Sequence, residues 1–157
     1  MAEIEIIGRA AIISRGHILL AREITDEHTH LPGGHVEHGE SVRAAIAREL
    51  REEFDGRAEI GAFVGVIEHT WHEGGRMHHE LNQLFTARLL NITYPEVPSS
   101  READLEFSWQ PVDRLKEAKL RPPPLVSLIP EICRQPTKGL WISTLETDVA
   151  DRPAEEE

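Results

Sequence analysis

The sequence predicts an α/β fold in which a mixed β-sheet carries helices on its faces. Three observations point to it. The N-terminus reads as a hairpin rich in Ile and Ala, an amphipathic helix follows a glycine-containing turn, and a second long strand pair between Ala58 and Leu90 precedes a shorter strand and further helices.

Ile4 to Ser14 and His17 to Ile24 are the two arms of the hairpin, with Arg15-Gly16 as its turn. After a polar loop from Asp26 to His30, Leu31-Pro32-Gly33-Gly34 is expected to be irregular, because proline fixes φ and paired glycines permit close backbone approach. His35-Val36-Glu37 is a short extended piece. Ser41 is placed to cap a helix whose apolar stripe, Val42, Ile46, Leu50 and Phe54, recurs every fourth residue, and Gly56 is placed to end it.

From Ala58 to His72 apolar residues fall on both alternating sets, which predicts a strand covered on both faces. Glu73 to Arg76 is a turn. On the returning strand, Met77 to Leu90, one face holds Met77, Leu81, Phe85, Ala87 and Leu89, and the other holds His78, Glu80 and Asn82. A loop over Asn91 to Ala103 leads to a strand from Leu105 to Trp109, a helix from Pro111 to Ala118, and a second helix from Leu125 to Arg134. Trp141 to Leu145 is a small apolar anchor. One domain is expected over residues 1–146, followed by a disordered acidic tail over 147–157.

Length and charge narrow the function. A chain of 157 residues with 39% hydrophobic and 29% charged residues suits one globular domain. A formal net charge of -11 argues against a nucleic-acid polymer as partner, because that binding rests on clustered Lys and Arg. A small phosphorylated substrate stays open, since a bound metal inverts the local field. The single cysteine, Cys133, forms no internal disulfide and is expected on the buried face of its helix. With acids near the N-terminus and no apolar run of membrane-spanning length, the expectation is a cytoplasmic protein with no membrane partner.

The chemistry lies between Gly34 and Gly56. Glu49, Glu52 and Glu53 occupy i, i+3 and i+4, one face of a helix, where like charges repel and call for a cation. A hard divalent metal is the natural candidate. As a pattern the stretch is Gly34, five residues, Glu40, seven residues, then Arg-Glu-Leu-Arg-Glu-Glu. This resembles the Nudix hydrolase box, G-x5-E-x7-R-E-U-x-E-E-x-G-U, with every charged position filled. The resemblance extends over about Ile7 to Ile129 and includes the preceding LPGG. It departs at Asp55, where the box has glycine and Gly56 comes one residue late, and at His30, where the family often has Trp.

The resemblance implies a Nudix-type α/β/α sandwich and metal-dependent hydrolysis of a nucleoside diphosphate linked to another moiety. It assigns Glu49, Glu52 and Glu53, with a backbone carbonyl near Gly33 and Gly34, as ligands to Mg²⁺ or Mn²⁺, and Arg48 as the residue holding a glutamate in place. Glu52 is the first candidate for general base and Glu49 the second. Glu40 is assigned to support of the loop-helix junction. Many members add a carboxylate from outside the box, for which Glu80 is the candidate here and Glu68 and Glu106 are alternatives. An edge-strand charge facing water is the competing account of Glu80.

Eight of the nine histidines lie between His28 and His79, flanking the box and the following hairpin. His35 and His78 are candidates for substrate contact, as are Arg22 on its strand and Trp71, whose ring is able to stack on a base. Surface or packing roles compete with each of these. A binding module that keeps the box without turnover is the rival reading, and a histidine-rich transition-metal binder is a third. A homodimer built on the apolar strands or late helices is left open.

Overall fold

The computed structural model describes residues 3–136 and 139–145. It contains six strands and two helices: β1 (Ile4–Ser14), β2 (His17–Glu23), β3 (Gly33–His35), α1 (Val42–Phe54), β4 (Ala58–Glu73), β5 (Arg76–Leu89), β6 (Leu105–Pro111) and α2 (Leu125–Arg134). The sheet order is β4-β5-β1-β2-β6, with β3 paired to β1. The β1–β5 pair is parallel and the other pairs are antiparallel, so the sheet is mixed as expected. Among the described residues no helix is long and apolar enough to cross a membrane.

Alternation along the strands divides the core in two. Ala10, Ile12, Leu19, Ala21, Phe85 and Leu89 pack against Val42, Ile46, Leu50 and Phe54 of α1. Ala11, Ile18, Leu20 and Leu84 pack on the opposite side against Leu125, Ile129 and Ile132 of α2. Each fully buried Leu or Ile of the α1 stripe contributes roughly 1.5–3 kcal/mol by leaving water. That stripe fixes the roll of α1, and with it the direction of the glutamates between the apolar positions.

The ends of α1 follow local chemistry. Ser41 Oγ accepts from the Ala44 N–H at 3.1 Å. At the other end Asp55 takes the left-handed conformation, φ 57°, that the family's glycine would take. Gly56 is required for another reason, since a Cβ there would lie 2.4 Å from the Phe54 ring.

Several expectations are corrected. Gly33 and Gly34 lie in a strand, not an irregular loop: a Cβ on Gly33 would lie 2.1 Å from the Gly8 carbonyl oxygen, so glycine is what lets β3 approach β1. The short extended piece therefore begins at Gly33, although the Val36 N–H still bonds Ile6 O at 2.9 Å. β4 is an edge strand with no fully buried residue. Its register shifts near Phe63 send Ile60 and Phe63 to one core and Val64 and Ile67 to the other.

Residues 112–118 lie in turns rather than a helix. Pro111 finishes β6, the buried anchors Leu115 and Leu120 are five apart and make no helical stripe, and Thr29 Oγ1 bonds the Ala118 carbonyl at 2.8 Å. Cys133 is exposed because Leu125, Ile129 and Ile132 already form the buried stripe of α2. Of the expected C-terminal anchor Trp141 packs, against Phe63 and Phe85 at 5.1 Å each, while Ile142 and Leu145 are exposed. The expected tail over 147–157 lies outside the described residues.

Candidate active site

Arg48, two turns into α1, gathers the carboxylates around it. Its Nε and Nη2 donate to Glu40 Oε1 at 2.8 Å and Oε2 at 3.1 Å, and Nη1 donates to Glu49 Oε1 at 3.0 Å and Glu52 Oε2 at 3.2 Å. Nη2 also holds the His35 carbonyl at 3.0 Å. The Glu40 bond, followed by the influence of Glu49, raises the guanidinium pKa above its ordinary value, and the Arg48 bond lowers that of Glu40. Glu40 also accepts the Glu37 N–H at 3.1 Å, which ties the loop to the helix.

The three box glutamates differ in exposure. Glu52 is exposed, Glu49 is half-buried and Glu53 is buried. Glu49 lies against Gly34, where a Cβ would meet its carboxyl group at 2.5–2.8 Å. Glu53 Oε2 is buried and accepts no hydrogen bond. Burial pushes Glu53 up to about 8; Arg9 and the Gly33 N–H oppose this, and the charges of Glu49 and Glu102 add to it. A buried carboxylate with a bare oxygen, next to a second carboxylate held against glycine, suits a hard cation with oxygen ligands. Among the described residues no group of three or more His, Cys, Asp or Glu is arranged to hold a metal ion.

A second polar group lies on the α2 side of the sheet. Glu80 and Asn82 share a face of β5 with Leu84, and both are buried, 7% and 2% exposed, whereas Met77 on the supposedly apolar face is 50% exposed. The polar face is thus the covered one at this end of β5. Glu80 Oε1 accepts from Trp71 Nε1 at 2.8 Å and Oε2 from Asn82 Nδ2 at 3.1 Å. Trp71 stacks on His78 at 4.1 Å. Glu5 joins His78 and His35, each at 2.7 Å, and its pKa is lowered chiefly by the His35 bond against the cost of burial.

Residues 6–131 match the NUDIX domain family. The chain belongs to that family. Among solved structures it is similar to a NUDIX hydrolase from Nitrosomonas europaea, with 22% identity and TM-score 0.70, covering 92% of this chain and 100% of that one. It is also similar to a MutT NUDIX hydrolase from Burkholderia pseudomallei, with 27% identity and TM-score 0.58, covering 71% and 85% respectively. A third similar structure is an ADP-ribose pyrophosphatase from Streptococcus suis, with 20% identity and TM-score 0.59, covering 86% and 96%. No significant match is found among curated proteins.

The Nudix fold sorts the candidate residues into three places. Gly34 lies against Glu49 and Arg48 bonds Glu49 and Glu52 on α1, where Glu53 is buried beside them in sequence, and His35 joins this set to the Glu5, His78, Trp71 and Glu80 group. Arg22 lies elsewhere: it is paired with Glu106 across β2 and β6 and bonds the Asp26 carbonyl at 2.6 Å, which commits Glu106 as well. Glu68 is exposed on β4.

Sequence reasoning missed Glu5 and, above all, Arg9. Arg9 Nη1 donates to Leu31 O at 3.0 Å and Gly33 O at 3.4 Å, and its Nε donates to Asn82 Oδ1 at 3.3 Å. The signal was present: a lone arginine interrupts the apolar run Ile6-Ile7-Gly8-Arg9-Ala10-Ala11-Ile12. A cation in such a run requires buried acceptors.

Proposed function

We propose that this Nudix chain is a pyrophosphohydrolase, dependent on Mg²⁺ or Mn²⁺, that cleaves a small nucleotide-like diphosphate. The observation that carries the reading is the bare, buried Glu53 Oε2 beside Glu49 at Gly34. Glu49, Glu52, Glu53 and the Gly34 carbonyl would hold the cation. When bound, the cation neutralises the diphosphate oxygens and makes water a better nucleophile. Arg48 holds Glu49 and Glu52 in register on successive turns of α1. Glu52, exposed at the rim, takes the proton from the attacking water, with Glu49 as the alternative base. His35, His78 and Trp71 line the approach and are the candidates for contact with the rest of the substrate, while Glu80 is the extra carboxylate outside the box.

A binding-only module draws no support from the displaced glycine, because Asp55 adopts the conformation that ends the helix. The test is a panel of nucleoside triphosphates, oxidised nucleotides, ADP-ribose, dinucleoside polyphosphates and sugar nucleotides, assayed with each metal. Glu52→Gln and Glu53→Gln should each lower metal-dependent release of phosphate or nucleoside monophosphate by about a hundredfold or more, with unchanged circular dichroism. Unchanged turnover in both folded variants would overturn the assignment.

A further inference from the structure

Arg9 joins the two halves of the site. Its charge acts on Glu80, Glu53 and Glu49 alike, opposing the burial that lowers its own pKa. Toward β5, Arg9 Nε reaches Asn82 Oδ1 at 3.3 Å, Asn82 Nδ2 reaches Glu80 Oε2 at 3.1 Å, and Glu80 Oε1 is fixed by the Trp71 indole at 2.8 Å. Toward the loop before α1, Arg9 Nη1 holds the Leu31 and Gly33 carbonyls. At its other end β3 is held by the Val36 N–H, which bonds Ile6 O at 2.9 Å. The β3 segment is therefore pinned at both ends, by Arg9 at the Gly33 carbonyl and by the β1 backbone at Val36.

We infer that Arg9 is a positioning residue that pins the Leu31 and Gly33 carbonyls and thereby sets Gly34, against Glu49, in register with the buried Glu80–Asn82 face of β5. This rests on the pyrophosphohydrolase reading for its purpose, though not for its geometry. The planar guanidinium is what allows one side chain to serve both arms, since its donors are fixed in a fork. Lysine would keep the charge and lose the simultaneous grip on Asn82 and the carbonyls. Hydrophobic replacement would leave Glu80 and Glu53 without their shared cation, so a loss of folding in that variant alone would not separate positioning from stability.

The test compares Arg9→Met/Glu80→Gln with Glu80→Gln, and Arg9→Lys with the unaltered chain. Amide exchange at Val36, whose N–H bonds Ile6 O and so reports the hold of β3 on β1, is followed by NMR in metal-free protein, and Mn²⁺ binding by calorimetry. Removing Arg9 in the Glu80→Gln background should speed Val36 exchange about tenfold, the size expected for one charge-assisted hydrogen bond, while leaving exchange across the β4–β5 pair unchanged. Mn²⁺ affinity should fall about tenfold on the same argument, and Arg9→Lys should recover thermal stability without recovering either quantity. Val36 exchange that stays the same in the folded double variant, or Mn²⁺ affinity equal to that of Glu80→Gln, would overturn the inference. If the unaltered chain neither binds Mn²⁺ nor hydrolyses any substrate, the functional reading fails, and the exchange comparison still decides the role of Arg9.

Discussion

The Glu49 carboxylate occupies the space that a side chain on Gly34 would fill, with Cδ 2.5 Å from the position of a Cβ there. The pairing is steric and local. Gly34→Ala must push Glu49 away while leaving the α1 stripe untouched. The expected outcome is a fall of about a hundredfold in kcat/KM, the size associated with an ångström-scale displacement of a catalytic group. The thermal midpoint should move little, and kinetics beside a melting curve checks both.

Arg48 serves three carboxylates and one carbonyl from a half-buried position. Arg48→Lys keeps a charge but gives up the fork that reaches Glu40 and Glu49 together. Denaturant titration should show a loss of about 1–3 kcal/mol, because the pairs are neither deeply buried nor fully solvated. A loss below measurement would mean that Glu40 and Glu49 hold their places without it.

His30 ties acid stability to the sheet centre. Burial, followed by the positive charge of Arg9, lowers its pKa from 6.5 to about 4, while the bond to the Leu31 backbone and then Glu80 and Asp26 act the other way. The unfolded chain binds the His30 proton more readily, so this contribution is complete above pH 6.5 and is lost as pH falls toward 4. Between pH 7 and pH 5 the cost is about 2 kcal/mol. His30→Gln should reduce the stability difference between those two pH values by that amount, measured by urea unfolding at each.

The end of α1 separates the two meanings of glycine. Asp55→Gly relieves a left-handed φ of 57° and breaks only the exposed 3.7 Å pair with Arg101. A gain of about 0.5–1 kcal/mol is expected. Gly56→Ala should destabilise, because its methyl would meet the Phe54 ring at 2.4 Å. Equal effects from the two variants would contradict the division of roles between positions 55 and 56.

Elements with strong local periodicity were legible in the sequence. The Ser41 cap and the fourfold apolar spacing gave α1 its limits, and the strand pairs followed from alternation and turn chemistry. Residues 111–118 misled because helix-compatible residues there yield to bonds from Thr29, which lies far away in the chain. Cys133 misled because helical phase, set by Ile129 and Ile132, decides exposure one residue at a time.

The sequence by itself determined the family and the loop and helix that carry the carboxylates of its box, since all of these reside in one contiguous stretch with fixed spacing. Only the tertiary structure decided which glutamate is buried and which exposed. It also decided that the polar face of β5 is covered, and that Arg9 stands between Glu80 and Glu53. These are properties of β1, β3, β5 and α1 packed together, and burial and charge pairing depend on distances across the sheet that spacing along the chain does not encode.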